Sequence, residues 1–111
     1  MSTSKGVKQN NEYGVSNYDP LQFAISNGIL TKYLGNALSV SVPSCVSQIS
    51  SSAFMGCSNV TEIIIPDSVL AIDRYAFVSC TSLKNVRLGF GISVVPMGAF
   101  ADLPNLESVV L

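Results

Sequence analysis

The apolar positions of this chain repeat with a period of 23 residues. The dipeptide Ala-Phe marks the period, and further positions stay apolar at the same spacing. The Ala-Phe copies are Ala53-Phe54, Ala76-Phe77 and Ala99-Phe100, and the other apolar sets are Val46, Val69, Ile92; Ile49, Ile72, Val95; Val60, Leu83, Leu106; Ile63, Val86, Val109; and Ile65, Leu88, Leu111. An apolar composition alone does not explain why seven positions remain apolar at the same spacing in three copies. The period predicts a solenoid of stacked repeats.

Each repeat is predicted to contain one short strand followed by a tight turn. In the middle copy Glu62 to Ile65 is β-rich, and Pro66 ends the strand because proline has no amide hydrogen to donate. Val69 and Ile72 are expected to point inward. Ala76-Phe77 is placed on a tight helical or 3₁₀ turn, where the small Ala allows close approach and the Phe fills the core. The fold class is therefore an α/β repeat solenoid of the leucine-rich type, a right-handed superhelix with a short parallel sheet on its concave side.

The segment before the first repeat carries a hairpin signal. The runs Phe23–Ser26 and Ile29–Tyr33 are joined by Asn27-Gly28, and Asn-Gly favours a type I′ turn, in which both central residues have positive φ. We interpret the hairpin as the N-terminal cap that a repeat array needs. The predicted organisation is a flexible leader or linker at 1–19 and a repeat domain at 20–111, divided into the cap 20–37, repeats 38–59, 60–82 and 83–105, and the start of a fourth repeat at 106–111. The alternative for the leader is a segment ordered by a partner, with Tyr13 and Tyr18 as anchors.

The third copy departs from the pattern of the other two. Gly89-Phe90-Gly91 replaces the turn that contains proline, and Leu103 replaces the Cys of the earlier copies. We expect a looser turn there that presents Phe90 outward. The strand kernel at Val109, Val110 and Leu111 is expected to leave an open sheet edge, which favours association. The chain is therefore expected to be a fragment of a longer array or to pair with another copy through this edge.

The repeated motif resembles that of the BspA-like (Treponema-type) leucine-rich repeat family. The pattern A-F-x-x-C-x-x-L-x-x-I-x-I-P-x-x-V-x-x-I is clearest from Ala53 to Ile72 and begins again at Ala76-Phe77, Cys80 and Leu83. The segment from Phe23 to Gly35 also resembles the hairpin that precedes such arrays. The resemblance implies a binding protein at the cell surface or secreted, active in adhesion to host proteins or to other cells. Met1 to Gln9 has no apolar signal region, so an intracellular protein or a trimmed fragment is the alternative.

Composition and charge narrow the functional classes. The 111 residues are 48% apolar and only 12% charged, with a net charge of −1 and no basic run, so the electrostatic footprint of nucleic-acid binding is missing. No aliphatic run approaches the length that crosses a bilayer. Histidine is absent, which removes the common Ser-His-Asp and Cys-His schemes. The carboxylates fall at scattered phases, so we expect no enzymatic activity and no cofactor.

The three cysteines admit two interpretations. Cys57 and Cys80 lie one period apart, so they are expected on adjacent turns, where the spacing of about 4.8 Å is compatible with a disulfide. The alternative is a ladder of buried thiols that act as small apolar groups. With Cys45 they offer too few ligands for a zinc site, and no metal is expected. Asn59-Val60-Thr61 matches the acceptor pattern for N-glycosylation, although Val60 should face inward.

The outward positions of the predicted sheet are the candidate binding residues. Two columns and a flank of side chains are expected on its concave face. The polar column contains Ser39, Glu62, Asn85 and Ser108, the mixed column contains Ser41, Ile64, Arg87 and Val110, and the flank contains Thr61, Lys84 and Glu107. One interpretation is a solvated polar face. The other is a protein-binding patch formed by Glu62, Ile64, Asn85, Arg87, Ser108 and Val110.

Two functions remain open on this basis. The first is a non-catalytic protein-binding module that uses the concave face. The second is a structural or assembly element that associates through Val109, Val110 and Leu111.

Overall fold

Two sheets of short strands run along the chain in the computed structural model, which describes residues 18–96 and 98–110. They form a β-solenoid of about four turns. The strands are β1 (Phe23–Ser26), β2 (Ile29–Tyr33), β3 (Ser39–Ser41), β4 (Gln48–Ile49), β5 (Glu62–Ile64), β6 (Ala71–Ile72), β7 (Asn85–Arg87) and β8 (Ser108–Val110). The repeat solenoid with a parallel sheet is thereby confirmed. Handedness, the concave side and the repeat boundaries stay predictions.

The first sheet has the order β3-β5-β7-β8 and is parallel throughout. Every residue pairs with the residue one period away, as in Val40 with Ile63 and Ile63 with Val86. These central side chains are all buried, at 3% exposure or less. Val109, which continues the row on β8, is 40% exposed because β8 is the edge of the sheet.

A second sheet, which the sequence did not predict, has the order β1-β2-β4-β6. Its first two strands are the predicted hairpin, which is confirmed, and Asn27 and Gly28 have φ values of 51° and 78°, as a type I′ turn requires. The hairpin joins the solenoid because β2 pairs in parallel with β4. It therefore extends the second sheet and leaves β3 as an edge of the first.

An aromatic stack fills the core between the two sheets. Successive ring centroids lie 5.3 to 5.6 Å apart along Phe23, Tyr33, Phe54, Phe77 and Phe100. Phe54 and Phe77 are buried, at 0% and 1% exposure. The Ala-Phe segments lie in hydrogen-bonded turns, and no helix occurs among the described residues. The α/β label is therefore not confirmed.

The third repeat is looser than the first two. Val95 is 44% exposed, whereas Ile49 and Ile72 at the same phase are buried. A strand there would continue the second sheet beyond β6, but Pro96 lacks the amide hydrogen needed for its last ladder bond. Ile72 points inward as expected for the middle copy, whereas Val95 at the same phase of the third copy does not.

The turn at Gly89-Phe90-Gly91 has the outward aromatic that the sequence predicts, with Phe90 at 89% exposure. The Phe90 amide donates to Asp67 Oδ1 at 2.8 Å. A Cβ atom at Gly91 would overlap the Asp67 carbonyl oxygen. Glycine is therefore required at position 91 by close backbone approach.

The predicted leader falls largely outside the described residues, and so does its proposed anchor Tyr13. Tyr18 is half-buried at the start of the described chain. Nearby, Asp19 shapes a turn in which its carbonyl accepts from the amides of Gln22 and Phe23 at 2.9 and 3.0 Å. Within the described ranges, no helix is long and apolar enough to cross a membrane.

Candidate protein-binding face

The polar column is aligned as its spacing predicts. Ser39 pairs with Glu62, Glu62 with Asn85, and Asn85 with Ser108, each one strand apart. Two hydrogen bonds divide the column into pairs. Ser39 Oγ donates to Glu62 Oε1 at 3.0 Å, and Ser108 Oγ donates to Asn85 Oδ1 at 2.8 Å. The serines therefore hold Glu62 toward β3 and Asn85 toward β8.

The mixed column combines one cation with aliphatic neighbours. Ile64, Arg87 and Val110 lie on the adjacent strands β5, β7 and β8, and Ser41 lies beyond Ile64 on β3. Ile64 is half-buried, Arg87 is exposed, and Val110 is 48% exposed. No hydrogen bond or ion pair of the Arg87 guanidinium is found among the described residues. The column therefore presents a free guanidinium between two aliphatic side chains.

The flank is ordered by backbone bonds that precede each strand. The Lys84 amide donates to the Thr61 carbonyl at 2.8 Å, and the Glu107 amide donates to the Lys84 carbonyl at 2.7 Å. Thr61 Oγ1 donates to the Leu38 carbonyl at 3.1 Å. The side chains of Lys84 and Glu107 are exposed. Two cations, Lys84 and Arg87, thus lie at either end of β7.

The predicted association edge is only partly described, because Leu111 lies outside the described residues. Val109 and Val110 form the end of β8, which has a neighbour on one side only. The Ser108 amide donates to the Lys84 carbonyl at 3.1 Å, and the Val110 carbonyl accepts from Leu88 at 2.7 Å. Because backbone groups alternate sides along a strand, the N–H and C=O of Val109 face the open edge.

The cysteines are free thiols, and Cys80 is buried. Its Sγ donates to the Phe54 carbonyl at 3.0 Å. The pKa of the Cys80 thiol is raised to about 12, chiefly by burial and also by the neighbouring Cys57. Burial also raises the pKa of the Cys57 and Cys45 thiols, and Lys32 partly offsets this for Cys57. No disulfide joins Cys57 to Cys80, and the interpretation as buried thiols holds for Cys80 alone, because Cys57 and Cys45 are half-buried.

A groove of about 210 Å³ on the turn side of the repeats was missed by the sequence reasoning. Tyr75 and Val78 line it from the second repeat, and Gly98 and Ala101 lie at the same phases in the third. Arg74 lies over the Tyr75 ring, 5.9 Å from its centroid. The sequence signal that could have indicated the groove is the replacement of Tyr and Val by the smaller Gly and Ala one period later.

The structure gives no support to the glycosylation pattern or to a metal site. Asn59 of the glycosylation pattern is exposed, but its amide Nδ2 already donates to Asn36 Oδ1 at 2.9 Å, and Val60 is buried. Within the described ranges, no group of three or more His, Cys, Asp or Glu side chains is arranged to hold a metal ion.

The comparisons with known proteins agree with this architecture. Residues 25–111 match the family model described as BspA type leucine rich repeat region (6 copies). The chain belongs to the BspA-type leucine-rich repeat family, whose members are typically non-catalytic and generally bind proteins.

A solved structure is similar in fold. The crystal structure of the leucine-rich repeat protein of T. pallidum has a TM-score of 0.50 and 22% sequence identity, over 79% of this chain and 67% of that chain. At this identity the likeness establishes the fold alone. No curated protein matches the chain.

Proposed function

We propose that this domain is a non-catalytic protein-binding module whose partner contacts the first sheet across the mixed column. The observation that carries the proposal is the Arg87 guanidinium, which has no partner among the described residues and lies between Ile64 and Val110. Arginine beside apolar side chains is enriched in interface cores. A rigid sheet also fixes the backbone from which these side chains extend, which lowers the backbone part of the entropic cost of association.

Adhesion is the biological setting that we propose for this module. The support is membership of the BspA-type family together with a charged content of 12%, well below the quarter that is usual for soluble proteins. A surface with few charges leaves more of its area available for contact with another protein. A location at the cell surface belongs to this proposal.

The test is a comparison of two matched arginine variants. A partner isolated from the source cell is purified and titrated against the wild type, Arg87→Glu and Arg74→Glu. We expect Arg87→Glu to weaken binding about 30-fold or more, as truncation of a central interface arginine does. Arg74→Glu should leave the Kd unchanged, because Arg74 is also exposed but lies on the turn side of the repeat. Equal effects of the two substitutions, or none from Arg87→Glu, would sink the proposal.

The second candidate function is self-association through the open edge of β8. The observation that favours it is the pair Val109 and Val110, both at least 40% exposed, on a strand with one neighbour. An edge of this kind is a template for pairing with another chain.

The edge proposal has its own pair of variants. Val109→Pro removes the amide hydrogen that faces the open edge, whereas Val110→Pro disturbs the side that faces β7. If the edge mediates assembly, light scattering over a concentration series shows a wild-type oligomer and a Val109→Pro monomer. A wild-type monomer at every concentration removes this function.

A further inference from the structure

The middle of the candidate face, strand β7, presents hydrogen-bond donors. Arg87 carries the guanidinium, and Lys84, just before the strand, carries an exposed ammonium group. Asn85 adds a third donor, because its Oδ1 already accepts from Ser108. Within the described ranges, no acceptor is found for the Asn85 amide nitrogen or for either cation. Strand β7 and the residue before it therefore offer three donor groups, and the one side-chain acceptor among them, Asn85 Oδ1, already accepts a hydrogen bond.

Glu62, an acid of this face, is held on the side away from these donors. Glu62 lies one strand before Asn85, but its Oε1 accepts from Ser39 on the opposite side. The serine bond draws the carboxylate toward β3. Glu107 follows Lys84 by one period in the flank and forms no ion pair among the described residues. Neither acid forms an ion pair with Arg87 or Lys84 among the described residues.

Apolar surface lies next to the donors. Ile64 and Val110 are the register neighbours of Arg87 on either side, at the strand spacing of about 4.8 Å. A ligand group over Arg87 therefore has aliphatic contact on both sides. Exclusion of water by these side chains strengthens a charge-assisted bond at the centre.

We propose that β7 binds a carboxylate of a partner protein, from an Asp or Glu side chain that has an aliphatic residue beside it. The proposal rests on the protein-binding function stated above and names the chemistry of its partner. The planar guanidinium of Arg87 binds both carboxylate oxygens, and the Asn85 amide reaches the same acid from the neighbouring column. The aliphatic residue of the partner packs on Ile64 or Val110. Lys84 adds long-range attraction, which speeds association at low salt.

A phage-displayed library of random peptides tests this chemistry without knowledge of the natural partner. The library is selected on the wild type, and enriched peptides are synthesised and titrated. We expect the enriched peptides to share an Asp or Glu adjacent to Leu, Ile or Val. Arg87→Gln should weaken their binding about 10- to 100-fold, the range for loss of a charge-assisted bond. Arg87→Lys, which keeps the charge but loses the planar fork, should weaken it less.

A second selection, on Arg87→Glu, tests whether the preferred charge of the peptides is reversed. The acidic preference should disappear and basic residues should take its place, while the aliphatic preference remains. Enriched peptides that need Ile64 and Val110 but carry no acid would overturn the carboxylate proposal and leave the protein-binding face intact. Peptides insensitive to every substitution on this face, or no enrichment at all, would count against both.

Discussion

The backbone amide of Asp73 donates to the Ile49 carbonyl at 2.9 Å, and this bond has no counterpart one period later because residue 96 is proline. The first sheet continues through β8, whereas the second ends at β6. The two sides of the solenoid therefore end at different points along the chain. Val95, which would extend the second sheet, is left 44% exposed.

Restoring an amide at position 96 should extend the second sheet. Pro96→Asp supplies the N–H that the Ile72 carbonyl lacks, and its carboxylate copies Asp73, whose Oδ2 accepts from Ser51. One ladder bond contributes about 1 kcal/mol, partly offset by the lost rigidity of proline. Hydrogen exchange at residues 94–96 should slow. Pro96→Ala, which restores the N–H alone, should give a smaller effect, and unchanged exchange in both would show that proline does not end the sheet.

One position in the turn of each repeat has a left-handed backbone conformation, and its stability should depend on whether the residue there is glycine. Gly56, Ser79 and Asp102 occupy one phase with φ values of 73°, 64° and 57°. A Cβ at Gly56 would meet no atom within 4 Å, so Gly56→Ala tests backbone conformation alone. We expect it to lower the free energy of unfolding by about 1 kcal/mol.

The reverse change at the same phase is the control. Ser79→Gly should raise the free energy of unfolding by up to about 1 kcal/mol, because glycine adopts this conformation without a Cβ penalty. Urea denaturation measures both variants. A change of the same sign in the two would contradict the assignment of strain to this phase.

Removal of a ring from the middle of the aromatic stack should lower the free energy of unfolding more than removal of the ring at its end. Phe77 lies between Phe54 and Phe100 at 5.6 and 5.4 Å and is buried, whereas Phe100 is half-buried. Phe77→Ala should lower the free energy of unfolding by about 3–5 kcal/mol. Phe100→Ala should cost clearly less in the same urea titration. Equal losses would mean that Phe100 is covered as fully as Phe77.

Stability should decline in alkali because of Cys80. Burial raises the pKa of this thiol to about 12 in the folded state, from an ordinary value of 9.0 that also holds for the unfolded chain. Folding therefore favours the neutral thiol. The stability due to this difference is fully present below pH 9.0 and is lost as the pH rises toward about 12.

The measurement is the urea midpoint under reducing conditions at about pH 8 and about pH 10. Cys80→Ala should show a smaller decline between the two than the wild type, since it lacks the buried thiol. A native thiol titration adds a second check, with Cys80 the slowest of the three to react because its thiolate is the least populated. An identical decline in the variant would exclude this role of Cys80.

The 23-residue period was enough to determine the pairing of the first sheet and the composition of both columns. Residues at one phase occupy equivalent places in successive turns, so Glu62 must lie beside Asn85 whatever fills the rest of the core. The hairpin was equally determined, because positive φ at Asn27 and Gly28 is a local property of that dipeptide.

The second sheet and the side-chain hydrogen bonds of the face were determined only by the tertiary structure. Strands β4 and β6 are only two residues long, which is too short for a recognisable alternation of apolar and polar residues. The sequence pattern therefore did not predict the second sheet. The direction in which Ser39 and Ser108 donate also depends on side-chain geometry, and it determines which groups of the face stay free. Among the described residues Arg87 has no hydrogen-bond or ion-pair partner, since the register brings it Ile64 and Val110 as neighbours while the Glu62 carboxylate accepts from a serine on the far side.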